Sequence, residues 1–194
     1  MQKLTALTLS ALSALASQPV MAQQRMSEYQ WFDGASLGIG VSANKSTTTT
    51  VKGLKESGSS SVGIAKFNYT FASDSRYKLG ISASVDAQKS AITNDVFIDR
   101  KFPTELTIEP SFLLSATTLS YVKLGSYSAS YATPFGSKDI NGQAYGLGIK
   151  SFINERFFIQ AEWTQHKAKG SASIGWDKLN QTSTSVLVGY NLNN

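Results

Sequence analysis

Charged side chains recur at one parity of the alternating segments in this sequence, where they could form ion pairs or line a path for ions. Seven residues have this placement: Lys66, Lys78, Asp86, Glu109, Lys123, Lys150 and Glu162. Side chains of a β-strand point alternately to its two faces, so residues of one parity share a face. Charges on a buried face need partners. The pattern therefore indicates a charge network, which can be interpreted as a structural set of ion pairs or as a conduction pathway.

The single histidine, His166, offers little for catalysis. A nucleophile, a base and a group that orients the base cannot be assembled around it from the sequence. One histidine, no cysteine and no clustered acidic motif also leave no ligand set for a metal ion. The sequence therefore predicts neither an enzyme nor a bound cofactor. His166 is interpreted as a histidine hydrogen-bonded to its neighbours.

The first 22 residues have the pattern of a secretory signal peptide. Lys3 supplies a positive charge, residues 4–16 form an apolar run too short to span a bilayer, and residues 20–22 suit a cleavage site before Gln23. The remaining residues, 23–194, have the size of one domain. Without cysteine, an exported domain must be held by packing and backbone pairing. The mild net charge of +5 comes without a nucleic-acid motif, so no nucleic-acid partner is predicted.

Between Gln143 and Lys167 the chain reads as two alternating strands joined by a short polar turn, and the rest of the chain repeats this plan. The predicted strands are 35–43, 62–71, 77–87, 106–114, 119–131, 143–153, 157–167 and 182–192. Short connections at 72–76, 115–118 and 154–156 alternate with long polar ones at 44–61, 88–105, 132–142 and 168–181. This order predicts an all-β, eight-stranded antiparallel up-and-down transmembrane β-barrel with extracellular long loops and both mature termini periplasmic.

Two further patterns indicate that the apolar faces point outward to lipid. Most strand glycines lie on the polar face, where they would make room in a crowded lumen: Gly38, Gly40, Gly80, Gly125, Gly146, Gly148 and Gly189. Aromatic residues gather near the short-turn end, as in an interfacial girdle: Tyr69, Phe71, Tyr77, Phe112, Phe157 and Tyr190. The seven charges then face the lumen. Folding of the hairpins predicts that Glu109 lies close to Lys123 and Lys150 diagonal to Glu162, in a lumen just wide enough for side chains.

Four fragments carry a resemblance to a known family: Leu106-Thr-Ile-Glu-Pro-Ser-Phe, Leu119-Ser-Tyr-Val-Lys-Leu-Gly, Tyr145-Gly-Leu-Gly-Ile-Lys and Ile159-Gln-Ala-Glu-Trp-Thr. They look like successive strands of the small outer-membrane β-barrel proteins of Gram-negative bacteria, the OmpA/OmpX-like group. The resemblance implies insertion by the barrel-assembly machinery and a role as structural anchor, adhesin, complement-evasion factor or narrow pore. The chain departs from the family at its end, where Tyr190-Asn-Leu-Asn-Asn replaces the usual closing aromatic.

The long loops are the predicted sites of recognition, because a rigid scaffold usually carries its function on loops. The candidate residues for contact with lipopolysaccharide or a protein partner are Lys45, Lys52, Lys55, Phe97, Arg100, Lys101 and Phe102. Lys167 and Lys169 lie at the base of the fourth loop. We expect lysines near the membrane surface to be attracted to anionic head groups.

The predicted function is that of a monomeric outer-membrane barrel with a structural or surface-interaction role, whose partners are outer-membrane lipid, lipopolysaccharide and a host surface protein. A narrow porin-like channel is the alternative. A lipid A-modifying enzyme ranks third. The lipid A deacylases among small outer-membrane barrels carry a His-x-Ser element, whereas this sequence reads His166-Lys167-Ala168.

Overall fold

The fold is built from β-strands. A computed structural model describes residues 30–50, 52–73, 75–87, 90–91, 99–133, 136–169 and 176–192. The strands are β1 (Gly34–Thr50), β2 (Lys55–Thr70), β3 (Tyr77–Asp86), β4 (Ser90–Ala91), β5 (Asp99–Ser115), β6 (Thr118–Thr133), β7 (Gly136–Phe152), β8 (Phe157–Lys169) and β9 (Trp176–Asn191). Over these ranges, the chain forms no helix long and apolar enough to cross a membrane.

The eight long strands close into an antiparallel barrel. Each long strand pairs with its neighbour in the chain, and β1 also pairs with β9, so that the first and last strands meet. The two-residue β4 pairs only with the beginning of β5, opposite Asp99 and Arg100, while β3 pairs directly with the rest of β5. The prediction of an all-β, eight-stranded antiparallel up-and-down barrel is therefore confirmed.

The two faces of the barrel wall have opposite character, as strand alternation requires. Large apolar side chains are exposed on the outside: Leu37, Ile39, Val41, Phe67, Leu79, Ile81, Leu106, Ile108, Val122, Leu124, Leu147, Trp163 and Val188. Polar and charged side chains are buried inside: Ser42, Asn44, Lys66, Asn68, Lys78, Ser82, Thr107, Glu109, Lys123, Lys150, Gln160, Glu162, Thr164, His166, Gln181, Ser183 and Ser185. An outward apolar band around a polar interior is typical of a barrel in a bilayer.

One end of the barrel, which we call the short-turn end, carries the turns at 71–76, 116–117 and 153–156. The six girdle aromatics lie there as three pairs of rings: Tyr69 with Phe71, Tyr77 with Phe112, and Phe157 with Tyr190. Inside this end, Phe32 packs edge-on against Phe152 in a buried apolar cluster that also includes Phe158. Phe32, just before β1, thus fills the lumen at the short-turn end.

At the opposite end of the barrel, the strands continue well beyond their predicted ends, into the segments that were predicted as loops. The segments predicted as the first and third long loops are mostly strand, because β1 reaches Thr50 before β2 begins at Lys55, and only 134–135 separate β6 from β7. Hydrophobic alternation stops where the apolar band stops, so the sequence pattern gave no sign of the extension. Backbone pairing needs no apolar face, and the threonine-rich run before Thr50 favours a strand.

The opposite orientation of neighbouring residues can be tested on β9, where Val188 is 52% exposed and Leu187 is 1% exposed. In a folded barrel in lipid, a cysteine in Val188→Cys should react quickly with a membrane-soluble maleimide. A cysteine in Leu187→Cys should stay protected until the barrel is unfolded. Equal labelling of the two variants in folded protein would contradict the assignment of the faces, because a one-residue shift in register exchanges them.

Candidate functional site

Glu162, on β8, is the centre of the charge network in the lumen. Its Oε1 accepts hydrogen bonds from Lys66 and from the hydroxyl of Tyr121, and a further one of 2.7 Å from Gln160 Nε2. Its Oε2 lies 3.2 Å from Lys123 Nζ. These groups come from three strands, β2, β6 and β8. A fourth strand, β5, supplies Glu109, the second carboxylate that pairs with Lys66. These contacts satisfy a carboxylate that is only 3% exposed.

Two further carboxylates extend the network along the lumen. Glu109 Oε1 lies 2.7 Å from Lys66 Nζ, and its other oxygen accepts a 2.8 Å hydrogen bond from Asn68 Nδ2. Glu105 Oε1 lies 2.6 Å from Lys123 Nζ, while its Oε2 lies 2.7 Å from His166 Nε2. Lysines and carboxylates therefore alternate from Glu109 to His166, and each buried charge has an opposite charge or hydrogen-bond partner within reach.

Glu109 lies close to Lys123, as predicted, but the ion pairs of these two residues are formed with other partners. Lys123 pairs with Glu105 and Glu162, and Glu109 pairs with Lys66 across the lumen. The hairpin register, with Ile108 opposite Leu124 and Ser111 opposite Tyr121, brings Glu109 level with Lys123. Register therefore sets which residues are neighbours, whereas the ion pairs also depend on groups that reach across the lumen from other strands.

Lys150 lies diagonal to Glu162, as predicted, because its partner on β8 is Gln160 and the partner of Glu162 is Gly148. The polar contacts of Lys150 are nevertheless with other side chains. Lys150 Nζ lies 3.3 Å from Ser36 Oγ and 3.4 Å from Asn68 Oδ1. It also lies 4.5 Å from the centre of the Phe158 ring, a cation–π distance. Lys150 therefore connects the charge network to the apolar cluster at the short-turn end.

Separate ion pairs lie at the two ends of the lumen. At the short-turn end, Lys78 Nζ is 2.5 Å from Asp33 Oδ1 and donates a 2.7 Å hydrogen bond to the carbonyl of Ser73. At the opposite end, Arg100 pairs with Asp86 and donates a 2.6 Å hydrogen bond to Gln181 Oε1. All seven charges that the sequence placed on the inner face do lie on that face.

Arg100 corrects another expectation, because it was predicted to lie on an exposed loop but is only 1% exposed. The pairing of β5 with β6 is irregular between Lys101 and Thr104. A bulge of this kind changes the parity of the strand, so that Arg100 and Glu105 both face inward. Of the other loop candidates, Phe97 lies outside the described residues, and only the backbones of Lys101 and Phe102 are described.

The free space in the lumen is small. A cavity of about 20 Å³ lies beside Glu105, Lys123 and His166, and another of about 10 Å³ lies beside Glu109 and Lys150. A cavity needs roughly 10–15 Å³ to hold one water molecule. Within the described ranges, no three histidine, aspartate or glutamate side chains form a ligand set for a metal ion.

The outer wall above the apolar band carries four exposed lysines on adjacent strands: Lys45 on β1, Lys167 and Lys169 on β8, and Lys178 on β9. Lys169 faces Lys178 across β8 and β9, and Lys45 lies lower on the far side of β9, opposite Thr182. Lys167 Nζ lies 5.1 Å from the centre of the Tyr145 ring. We call these four residues the basic wall. The predicted loop lysines Lys52 and Lys55 are exposed at the tip of the β1–β2 hairpin.

Glu105 and Tyr121 belong to the charge network and Lys178 to the basic wall, but none of the three was predicted from the sequence. Glu105 shares the parity of Glu109, which was a usable signal once the strand was extended beyond Leu106. Tyr121 shares the parity of Lys123 in the same way. Lys178 was hidden because its segment was assigned to a loop, where parity has no meaning.

The fold is similar to those of several solved structures of outer-membrane proteins. Ail, the attachment invasion locus protein of Yersinia pestis, in complex with the heparin analogue sucrose octasulfate, has 21% identity, a TM-score of 0.54, and coverage of 81% of this chain and 98% of Ail. Neisserial surface protein A has 10% identity, a TM-score of 0.52, and coverage of 81% and 99%. AlkL, an outer membrane protein, has 12% identity, a TM-score of 0.51, and coverage of 90% and 95%. Curated proteins gave no match.

These three structures share the fold with this chain at low identity. The sequence itself matches a family model, described as the outer membrane protein beta-barrel domain, over residues 5–191. That range includes every described strand, from β1 to β9. The protein therefore belongs to the family of outer membrane β-barrel domain proteins and lies in the outer membrane.

Proposed function

We propose that this barrel acts at the cell surface by binding, with its long hairpins extracellular and its short-turn end periplasmic. The observation that carries the proposal is the length of the strands beyond the apolar band. β1 and β2 continue as a paired polar ribbon from Lys45 to Ser59, and β6 and β7 continue as another. Paired strands hold a surface more rigidly than loops do, and a rigid surface loses less entropy when it binds.

A binding role agrees better than conduction with the contents of the lumen. The two lumen cavities of about 20 and 10 Å³ have room for single water molecules. The charges that would line a pore are bonded to one another instead. We therefore propose a barrel plugged by its own side chains, with His166 as a member of this plug rather than a catalytic group. The chain is proposed to be monomeric and inserted by the barrel-assembly machinery.

The basic wall supports lipopolysaccharide as the first partner. Its four lysines begin where the outward apolar residues end, since Lys45 follows Val41 and Ala43 on β1, and Lys167 follows Trp163 on β8. With the long hairpins extracellular, this level is that of the phosphate groups of the outer leaflet. Each lysine near an anionic membrane surface contributes about 1 kcal/mol, and salt screens the effect.

A host surface molecule is the proposed second partner. The Ail structure in the comparison contains a heparin analogue, sucrose octasulfate. Sulfate and phosphate both attract lysine by charge, so an anionic host glycan is one candidate for the exposed hairpin lysines Lys52 and Lys55. A binding screen of the purified barrel against matrix proteins, complement regulators and sulfated glycans would test this part of the proposal. If the barrel bound none of these molecules at physiological salt, this part of the proposal would be contradicted.

The lipopolysaccharide contact can be tested by neutralising Lys45, Lys167 and Lys178 together with glutamine. Wild-type protein should unfold at a higher urea concentration in bilayers containing lipopolysaccharide than in phosphatidylcholine alone. The triple variant should lose most of this difference, about 3 kcal/mol at low salt if each lysine contributes fully. The matched control replaces the same three lysines with arginine, which keeps the charge. If the glutamine substitutions lowered the urea concentration of unfolding equally in both bilayers, the proposal would be contradicted.

A further inference from the structure

A groove crosses the outside of the barrel from β1 over β2, β3 and β5 to β6. Its volume is about 580 Å³, far larger than either cavity in the lumen. Binding sites for small ligands typically have volumes of about 300–1,000 Å³. Leu37, Ile39 and Phe67 form one side, and Leu106 lies on the other. The groove therefore has the size and the apolar character of a binding site, although it opens outward.

Strand register explains the shape of the groove. The outward residues that line it lie in two neighbouring rows across the wall, one through Ile39, Ala65, Val85, Thr104 and Ser128 and one through Leu37, Phe67, Ala83, Leu106 and Ser126. Ala65 lies opposite Val85, and Ala83 lies opposite Phe67, so the two alanines are diagonal neighbours. Small side chains at diagonal positions, with large ones beside them, leave a depression that runs across the strands.

The upper end of the groove is polar. Thr104, Ser126 and Ser128 lie on β5 and β6, one row or two above the last large apolar residues Leu106 and Leu124. The groove thus begins within the apolar band and ends at its upper edge. This course matches a molecule with an apolar chain and a polar head, lying in the membrane leaflet nearer the long hairpins.

We propose that this groove holds one acyl chain of a lipid in the outer leaflet, with the lipid head group at the hydroxyl side chains. The surface is continuous with the barrel's lipid-facing band, so the occupant comes from the adjoining bilayer. The assignment to the outer leaflet rests on the orientation proposed above, with the long hairpins extracellular. A chain lying against a convex barrel touches protein on one side, whereas a chain in the groove is contacted from its floor and both sides, which increases dispersion attraction.

The occupant can be located without changing the protein. The barrel is placed in phosphatidylcholine nanodiscs that contain a small fraction of phosphatidylcholine with a diazirine in one acyl chain, and it is then irradiated and mapped by peptide mass spectrometry. Adducts should be severalfold more frequent on the β2 and β3 residues that line the groove than on lipid-facing residues of β8 and β9. An even distribution around the barrel would overturn the proposal. This result does not depend on which end of the barrel is extracellular, because a nanodisc has no inner and outer side, so it tests the groove separately from the proposed orientation.

The groove can also be filled by substitution. In Ala83→Leu the new side chain lies in the floor of the groove and points outward, so the lumen is undisturbed. Wild-type protein released from detergent in a native mass spectrometer should retain one lipid, and Ala83→Leu should lose it. The matched control is Ala161→Leu, on the lipid-facing side of β8, which should retain it. Equal retention by both variants, or a wild-type spectrum showing a dimer in place of the lipid, would overturn the proposal.

Discussion

Replacing Glu162 with glutamine should lower the free energy of unfolding in lipid by about 3–5 kcal/mol, the range found when one member of a buried ion pair is removed. Glu162 is 3% exposed and is shared by Lys66 and Lys123. Its loss leaves both lysines with a single carboxylate each, Glu109 for Lys66 and Glu105 for Lys123. Urea unfolding of the barrel in phospholipid vesicles measures the change.

The control for this experiment is Asp177→Asn, which removes one negative charge from an exposed position on β9 and should change stability little. The double variant Glu162→Gln with Lys123→Met tests the coupling directly. Residues that interact do not have additive effects, so the double variant should cost less than the sum of the two single variants. Strict additivity would show that Glu162 and Lys123 do not stabilise each other, and a small effect of Glu162→Gln would show that water reaches the site.

The parity of the strands could be predicted from the sequence because it depends only on local alternation. Residues such as Lys66 and Glu162 have opposite charges and lie on the inner face, and this much follows from a period of two. Their partnership could not be predicted in the same way. Lys66 and Glu162 are 96 residues apart and meet across the lumen, not along a hairpin. Such pairs depend on barrel diameter and strand stagger, which no local pattern records.

Arg100 shows a second limit of parity. Its segment reads as a loop because the polar run at 99–101 breaks the alternation, and the bulge between Lys101 and Thr104 then reverses it. A sequence pattern assumes that every residue advances the strand by one step, whereas a bulge adds a residue without a partner. The result is an arginine buried at 1% exposure beside Asp86, in a place where an exposed basic loop was predicted.

The inner-face glycines were predicted correctly as a group, but the sequence could not say which of them the barrel requires. A Cβ atom at Gly148 would lie 2.3 Å from the ring of Tyr121, which is a side chain. A Cβ at Gly40 would lie 2.0 Å from the backbone oxygen of Val186. A side chain can move aside, whereas the β1–β9 ladder on which Val186 lies cannot shift without breaking the pairing that closes the barrel.

The substitution Gly40→Ala should therefore destabilise the barrel by at least about 1–3 kcal/mol, the usual cost of forcing extra atoms into a packed interior. The folded fraction, measured by its faster migration on unheated gels, and urea unfolding of the folded part report the loss. The matched control is Gly63→Ala, at which a Cβ would meet only the Cβ of Ala87, at 3.6 Å. That change should be neutral or stabilise by about 0.4–1 kcal/mol, because alanine has less freedom to lose on folding. Equal effects of the two substitutions would mean that strand propensity, and not the close approach of β1 to β9, explains the glycine at position 40.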